Sequence, residues 1–294
     1  MIKVHQYLRW LGAKYKVLDT LISNMPKTKV NFFAEPFCGS AIVYVNMKIN
    51  NLVDKGILND VGKWIILSHK LIRDDLDYYK EESKKYINAI SKINKDLAKF
   101  KEYYYAVRKS FNECVDRNDE SNEQIMRFIF LSKMGFNGVI RFNKKGHSNT
   151  PPGHQNLGFS FNDNSLIEFS QQLKFAKLST RDYASFLDVL RDKLTSEDMI
   201  FYDPPYLPTN FDINNKEKSF GNYFNSDFNY KDIEKIKEYF DLFSKNGVKQ
   251  MLTINDISYI RELFSKYNII ENTVFKLKKN AKSGNTKELI IKNY

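Results

Sequence analysis

Asp203-Pro204-Pro205-Tyr206 follows directly on an apolar run, Met199-Ile200-Phe201-Tyr202. Four apolar residues bounded by turn formers read as a buried strand. A proline drives the residue before it into an extended conformation. Two prolines in succession therefore hold Asp203 and Pro204 stiff at the carboxyl end of that strand. Prolines bring no N–H to the sheet ladder, so the Asp203 and Pro204 carbonyls are free to face a ligand. Ligands of open α/β sheets bind at such strand ends. A carboxylate, a carbonyl and an aromatic ring are thus held in one rigid cluster. An amino group attached to an aromatic ring suits it. The nitrogen lone pair is delocalised into the ring, which makes it a poor nucleophile. Two acceptors taking its two N–H bonds draw it towards tetrahedral geometry and localise the pair. Tyr206 can stack on the ring, worth about 1–3 kcal/mol per base.

The rest of the chain supplies a sheet around this strand. Val17, Leu18, Leu21 and Ile22 predict a helix near the start. Residues 30–36 read as a strand entering a tight turn, and residues 41–49 as a helix. Between them lies Ala34-Glu35-Pro36-Phe37-Cys38-Gly39-Ser40, where the glycine allows close approach of a ligand to the backbone. Neither GxGxxG nor GxxxxGK[ST] occurs, so dinucleotide binding and ATP phosphate cradling are poorly supported. Residues 56–60 read as a second strand, ending in Asp60. A carboxylate there is where doubly wound folds hold nucleoside ribose hydroxyls. Residues 63–133 are charged, Tyr-rich and helical by period, and read as an insertion. Residues 135–158 are rich in glycine and proline with basic residues between, as in an exposed loop or hairpin. Short strands are expected at 175–179, 199–202 and 248–254, and helices at 230–246 and 256–266. Residues 269–277 and 288–292 read as a closing hairpin. Alternating strands and helices predict an α/β class with a mostly parallel sheet.

Composition narrows the partners. Forty-six Lys and Arg against 35 Asp and Glu give +11 over 294 residues. Such a surface favours a polyanion. The 23 Phe and 18 Tyr exclude disorder throughout. No apolar run reaches the roughly 18 residues that span a membrane, and no signal peptide is expected. Two cysteines, Cys38 and Cys114, make no disulfide framework and point to a reducing, cytoplasmic setting. No Cys/His spacing fits a metal, so none is expected.

Taken together, these motifs resemble the Dam-type DNA adenine-N6 methyltransferases of bacteria and phages, α group and D12 class. RWLGAK (residues 9–14) is similar to that family's RWAGGK, AEPFCGS (34–40) to its EPFxG motif, ILND (57–60) to the motif ending in the ribose-binding acid, and DPPY (203–206) to its catalytic signature. The resemblance implies a Rossmann-like sheet dependent on S-adenosyl-L-methionine, with an inserted helical target-recognition domain and β-hairpin. The catalytic domain would span 1–62 and 163–294, and the recognition domain 63–162 with its hairpin at 135–153. Trp10, Lys14, Phe37, Gly39, Asp60, Asp182 and Asp203 would bind the cofactor. Asp203, Pro204 and Tyr206 would hold a flipped adenine whose N6 takes the methyl group, leaving S-adenosyl-L-homocysteine.

Gly135-Phe136-Asn137-Gly138-Val139-Ile140-Arg141-Phe142-Asn143-Lys144-Lys145-Gly146 resembles the family's recognition hairpin. In that reading Arg141 donates two hydrogen bonds to a guanine, worth about 1–3 kcal/mol against a wrong base. Phe136 and Asn137 would wedge beside the flipped base. Asn143, Lys144 and Lys145 would also meet DNA, the two lysines at phosphates. The chain departs from the family at Ser40-Ala41 and at 146–153, GHSNTPPG in place of GEFNVPFG, which bears on the outer bases of the site. GATC in duplex DNA is the expected target, and a longer or related site containing GAT the alternative. A cognate restriction endonuclease is the candidate partner, and a monomer the expected active form.

Overall fold

The computed structural model describes residues 2–93, 95–153, 163–209, 211, 228–275 and 285–294. Among them, seven strands form one sheet. These are β1 (Val30–Glu35), β2 (Val53–Asn59), β3 (Ala176–Ser179), β4 (Met199–Tyr202), β5 (Lys249–Asn255), β6 (Asn268–Phe275) and β7 (Asn285–Lys292). Their order is β3-β2-β1-β4-β5-β7-β6. The first five run parallel, and β7 is antiparallel to both β5 and β6.

Ten α-helices accompany the sheet among the described residues: α1 (Leu18–Ser23), α2 (Ile42–Ile49), α3 (Lys63–Asp74), α4 (Leu76–Ile93), α5 (Leu97–Asp116), α6 (Asn122–Met134), α7 (Asp163–Leu173), α8 (Tyr183–Leu190), α9 (Tyr230–Lys245) and α10 (Ser258–Leu263). None is long and apolar enough to cross a membrane. Side chains alternate across a strand, and β4 divides its residues accordingly. Met199 and Phe201 join one buried cluster, with α1, α2, α3 and α7. Ile200 and Tyr202 join the other, with α8, α9 and α10. The central strand is therefore apolar throughout because helices cover both faces.

Most elements fall where the sequence places them. Ile233, Ile236, Tyr239, Phe240 and Phe243 form the buried stripe of α9. The closing hairpin is β6 and β7, although residues 276 and 277 of the expected strand lie outside the described residues. Three details differ. The first helix is a 3-10 turn, Lys14–Val17, followed by the short α1. The second strand starts at Val53, because its first residues pair with Val30 and its neighbours. The helix expected at 256–266 contracts to α10.

The segment 63–133 folds as α3–α6. Helix α3 packs against β3 and α7 as well as α6. Beyond α6, residues 135–153 make a hairpin-like excursion held by two isolated antiparallel bridges, Gly135 with Pro152 and Phe142 with Ser148. The excursion is anchored by Phe142, whose ring lies 6.4 Å from Phe128 and 6.3 Å from Phe111. One apolar cluster runs from the sheet through α3–α6 to this anchor.

Candidate active site

The strand order reverses between β1 and β4. From β1 the chain crosses through α2 to β2 on one side, and from β4 through α9 to β5 on the other. This leaves a crevice at the carboxyl ends of the two central strands, where ligands of open α/β sheets bind. Glu35 to Gly39 leaves β1 there, and Asp203 to Tyr206 leaves β4.

Three donors converge on one oxygen of Asp203. Lys14 Nζ lies 2.8 Å from Oδ1, Thr253 Oγ1 of β5 donates at 2.9 Å, and the Tyr206 hydroxyl donates at 3.4 Å. Among the described residues Oδ2 takes no hydrogen bond. Lys14 also donates to the Tyr206 hydroxyl at 2.8 Å and to the Gly12 carbonyl at 3.2 Å, so its three N–H bonds have three acceptors. Its side chain is 6% exposed and that of Asp203 19%. Burial alone would push the Lys14 ammonium down, but Asp203, Tyr206 and Glu288 beside it hold it above the usual lysine range. Burial, reinforced by Asp203, pushes the Tyr206 phenol up, so it remains a neutral donor.

The glycine turn is held from three sides. Gly39 takes φ +46°, a conformation that favours glycine. A Cβ there would lie 2.9 Å from Trp10 Cδ1, so the indole packs on the bare backbone. The Gly39 N–H donates to Asp60 Oδ2 at 2.9 Å, and Gly62 N–H to Asp60 Oδ1 at 2.9 Å. Burial pushes the Asp60 carboxyl up to about 6, against the pull of those two N–H groups. The Gly39 carbonyl meets His69 Nε2 of α3 at 2.8 Å, and His69 Nδ1 meets the Tyr7 hydroxyl at 2.8 Å. Burial holds His69 down at about 4. It is therefore neutral near pH 7. With Gly39 O able only to accept, the proton sits on Nε2 and Tyr7 donates to Nδ1. Phe37 is half-buried, its ring 5.3 Å from Tyr183 and 6.1 Å from Phe228.

Thr253, Glu35, Glu288 and Asn255 of this crevice were given no role by the sequence reading, whereas Asp182 was given one. Thr253 sits in TIND on β5 and reaches Asp203 only because β5 pairs with β4. Glu35 is buried and accepts the Tyr44 N–H at 3.1 Å. Burial drives its carboxyl well above the usual range. Glu288 is buried on β7, opposite Asn255 of β5. Asn255 donates to the Leu207 carbonyl at 2.8 Å, while its buried Oδ1 has no partner among the described residues. Asp182 is exposed and caps α8, accepting the Ser185 N–H at 2.9 Å. Slight burial pushes its carboxyl up, but the cap hydrogen bonds hold it below the usual range.

The expected DNA-contacting side chains lie together on the loop 135–153. Ile140 and Phe142 point into the core, while Arg141 and Asn143 between and beyond them are exposed. Lys144 and Lys145 are exposed at the tip, and Phe136 is 49% exposed. Asn137 adopts φ +57°. Asn143 Oδ1 accepts the Lys145 and His147 N–H groups, at 2.9 and 3.1 Å, and so builds the turn itself. At Gly138 a Cβ would fall 1.8 Å from Arg9 Nε, so the Arg9 side chain rests against this loop. Between them, a cavity of about 370 Å³ is lined by His5, Gln6, Arg9, Trp10, Tyr15 and Asn137, with other residues of 11–16.

This arrangement agrees with the comparisons to known proteins. The family model for D12 class N6 adenine-specific DNA methyltransferases matches residues 10–276. The chain is 30% identical to the Type II methyltransferase M.MjaIII of Methanocaldococcus jannaschii, over 100% of both chains. It is 26% identical to the Type II methyltransferase M1.LlaDCHI of Lactococcus lactis subsp. cremoris, over 100% of this chain and 96% of that one. It is 26% identical to the DNA adenine methylase of Haemophilus influenzae, over 90% and 84%. With a mostly parallel sheet reversing at β1 and β4, and Asp-Pro-Pro-Tyr at the reversal, the chain belongs to the D12 class of N6 adenine-specific DNA methyltransferases.

Proposed function

We propose that this enzyme moves the methyl group of S-adenosyl-L-methionine to N6 of an adenine turned out of duplex DNA, within GATC or a related site containing GAT. The observation that carries the reading is Asp203, rigid after β4, with three donors on Oδ1 and Oδ2 left over. Oδ2 and the Pro204 carbonyl accept the two N6–H bonds, and Tyr206 stacks on the base. Lys14 and Thr253 fix the carboxylate so that no reorganisation is needed during the reaction. Turning the base out costs a few kcal/mol, which Phe136 and Asn137 offset by filling the gap.

The crevice fits the cofactor by its donor set. Gly39 offers bare backbone beside Trp10. The Asp60 oxygens keep lone pairs for ribose hydroxyls, and Phe37 offers an aromatic face. Lys14 lines the cleft, and Asp182 stands at the start of α8 on the side of the cofactor adenine. When bound, the cofactor supplies an electrophilic methyl group on a sulfonium centre.

Helices α4–α6 and the loop 135–153 are the DNA-reading part of an insert spanning 63–162, whose last residues, 154–162, lie outside the described residues. Arg141 reads a guanine, and Asn143, Lys144 and Lys145 meet the backbone around it. The net charge of +11 supports steeply salt-dependent DNA binding. Two relatives named Type II methyltransferases support pairing with a cognate restriction endonuclease; a monomer is the proposed active form.

The test is methyl transfer from labelled S-adenosyl-L-methionine to two duplexes, one containing GATC and one with GATC changed to GTTC. Label is expected in the first only, and Arg141→Ala should lower discrimination against a changed guanine roughly 5- to 150-fold. Label in neither duplex, or in both equally, rejects the GATC assignment. A second expectation concerns pH. Asp60 loses its charge as pH falls through about 6, so cofactor affinity should weaken below that pH, and the step should vanish in Asp60→Asn. Stability should move the opposite way. The native state favours the protonated form, so this group's contribution is fully present below 3.8 and is lost as pH rises through about 6. Calorimetric titration of the cofactor from pH 5 to 8 checks the first, and urea midpoints over the same range the second.

A further inference from the structure

Four residues of α5, each four positions from the last, all bond to the returning strand of the DNA-reading loop. The Tyr104 hydroxyl donates to the Thr150 carbonyl at 3.2 Å, and Arg108 NH1 donates to the same oxygen at 2.9 Å. Asn112 grips one residue twice. Its Nδ2 donates to the Ser148 carbonyl at 3.1 Å, and its Oδ1 accepts the Ser148 N–H at 2.8 Å. Asp116 Oδ1 meets His147 Nε2 at 2.7 Å. The spacings match: four helical residues rise about 6 Å, and two extended residues, Thr150 to Ser148, span about 6.6 Å.

The outgoing strand is tied in turn to this one. The Arg141 N–H donates to Thr150 Oγ1 at 2.7 Å, and the Arg141 carbonyl accepts the Asn149 N–H at 3.1 Å. Thr150 and Ser148 are each 2% exposed, so water does not compete for these bonds. The backbone of Arg141 is therefore placed by residues that α5 itself places.

We propose that the α5 stripe of Tyr104, Arg108, Asn112 and Asp116 is a rail setting the register of the DNA-reading loop, with Asn112 as the specificity-positioning residue. This rests on the reading of Arg141 as the guanine reader. The two-point grip of Asn112 copies a peptide group, so it accepts only one register. A slip of one residue would present the opposite faces of the strand and turn Arg141 away from the DNA.

The test compares kcat/KM on the preferred duplex and on duplexes with the guanine changed, for wild type, Arg141→Ala, Asn112→Leu and the double variant. Asn112→Leu should lower discrimination about tenfold at the base that Arg141→Ala affects, within the range of one bidentate arginine–guanine pair. The double variant should discriminate no worse than Arg141→Ala, because the two act as one unit. Cofactor affinity should stay at the wild-type value. Unchanged discrimination in Asn112→Leu, or losses that add in the double variant, overturns the rail. If Arg141→Ala keeps wild-type discrimination while Asn112→Leu loses it, the rail stands and the Arg141 reading fails. Should Asn112→Leu not fold, Asn112→Asp keeps the bond from the Ser148 N–H and loses the other. Asp116→Ala, at the exposed end, should show the same change to a smaller degree, and neither variant doing so also overturns the rail.

Discussion

Replacing Asp203 by alanine is expected to reduce methyl transfer at least about 10²- to 10³-fold, the usual loss when one preorganised polar group is removed from a reacting centre. The same change should destabilise the fold. Lys14 would keep its charge with its side chain 6% exposed and its carboxylate gone. Breaking one side of a buried ion pair costs about 3–5 kcal/mol. The lower end applies here, because the Tyr206 hydroxyl and the Gly12 carbonyl still accept from Lys14. Pairing Asp203→Ala with Lys14→Met should recover most of the stability and none of the activity. Urea midpoints and single-turnover label transfer separate the two effects. Activity near wild type in Asp203→Ala would remove the carboxylate from the mechanism.

Gly39→Ala is expected to weaken cofactor binding roughly 10- to 100-fold. The loss comes from the methyl group, which would lie 2.9 Å from Trp10 Cδ1 and force the indole off the turn. Backbone strain at φ +46°, of order 1–3 kcal/mol for a non-glycine residue, adds a loss of stability. Gly12→Ala separates the two. Gly12 has φ +81°, yet a Cβ there meets nothing within 4 Å. It should lose stability from strain alone and bind the cofactor nearly as wild type. Calorimetry on both variants checks this. Equal losses of affinity would mean that the Trp10 contact does not matter.

The elements most legible in the sequence are those with strong local signals. β4 runs from Met199 to Tyr202 as its apolar residues require, and Pro204 stops it. The five-residue stripe of α9 is readable because 3.6-residue periodicity survives over sixteen residues. Helix α8 spans only eight residues, with Phe186, Leu187 and Leu190 buried, too short for a period to stand out. The resemblance gives Asp182 an expected cofactor role, while its role as a cap becomes visible only once α8 exists. Asn143 likewise reads as a DNA contact in sequence, while its Oδ1 closes the turn that displays Lys144 and Lys145.

What the sequence determined by itself is the set of chemical groups and their local rigidity: the stiff carboxylate of Asp203, the bare turn at Gly39, the acid at the end of β2, and the basic loop. These follow from φ limits, missing Cβ atoms and hydrophobic period, all of which act within a few residues. Tertiary structure decided which groups meet. Lys14 and Asp203 are far apart in the chain yet 2.8 Å apart in space. Thr253 reaches Asp203 through the pairing of β4 with β5, and Asn112 reaches Ser148 across 36 positions. No local propensity encodes such pairs. They follow from the strand order and from the shared core that joins the sheet to α3–α6.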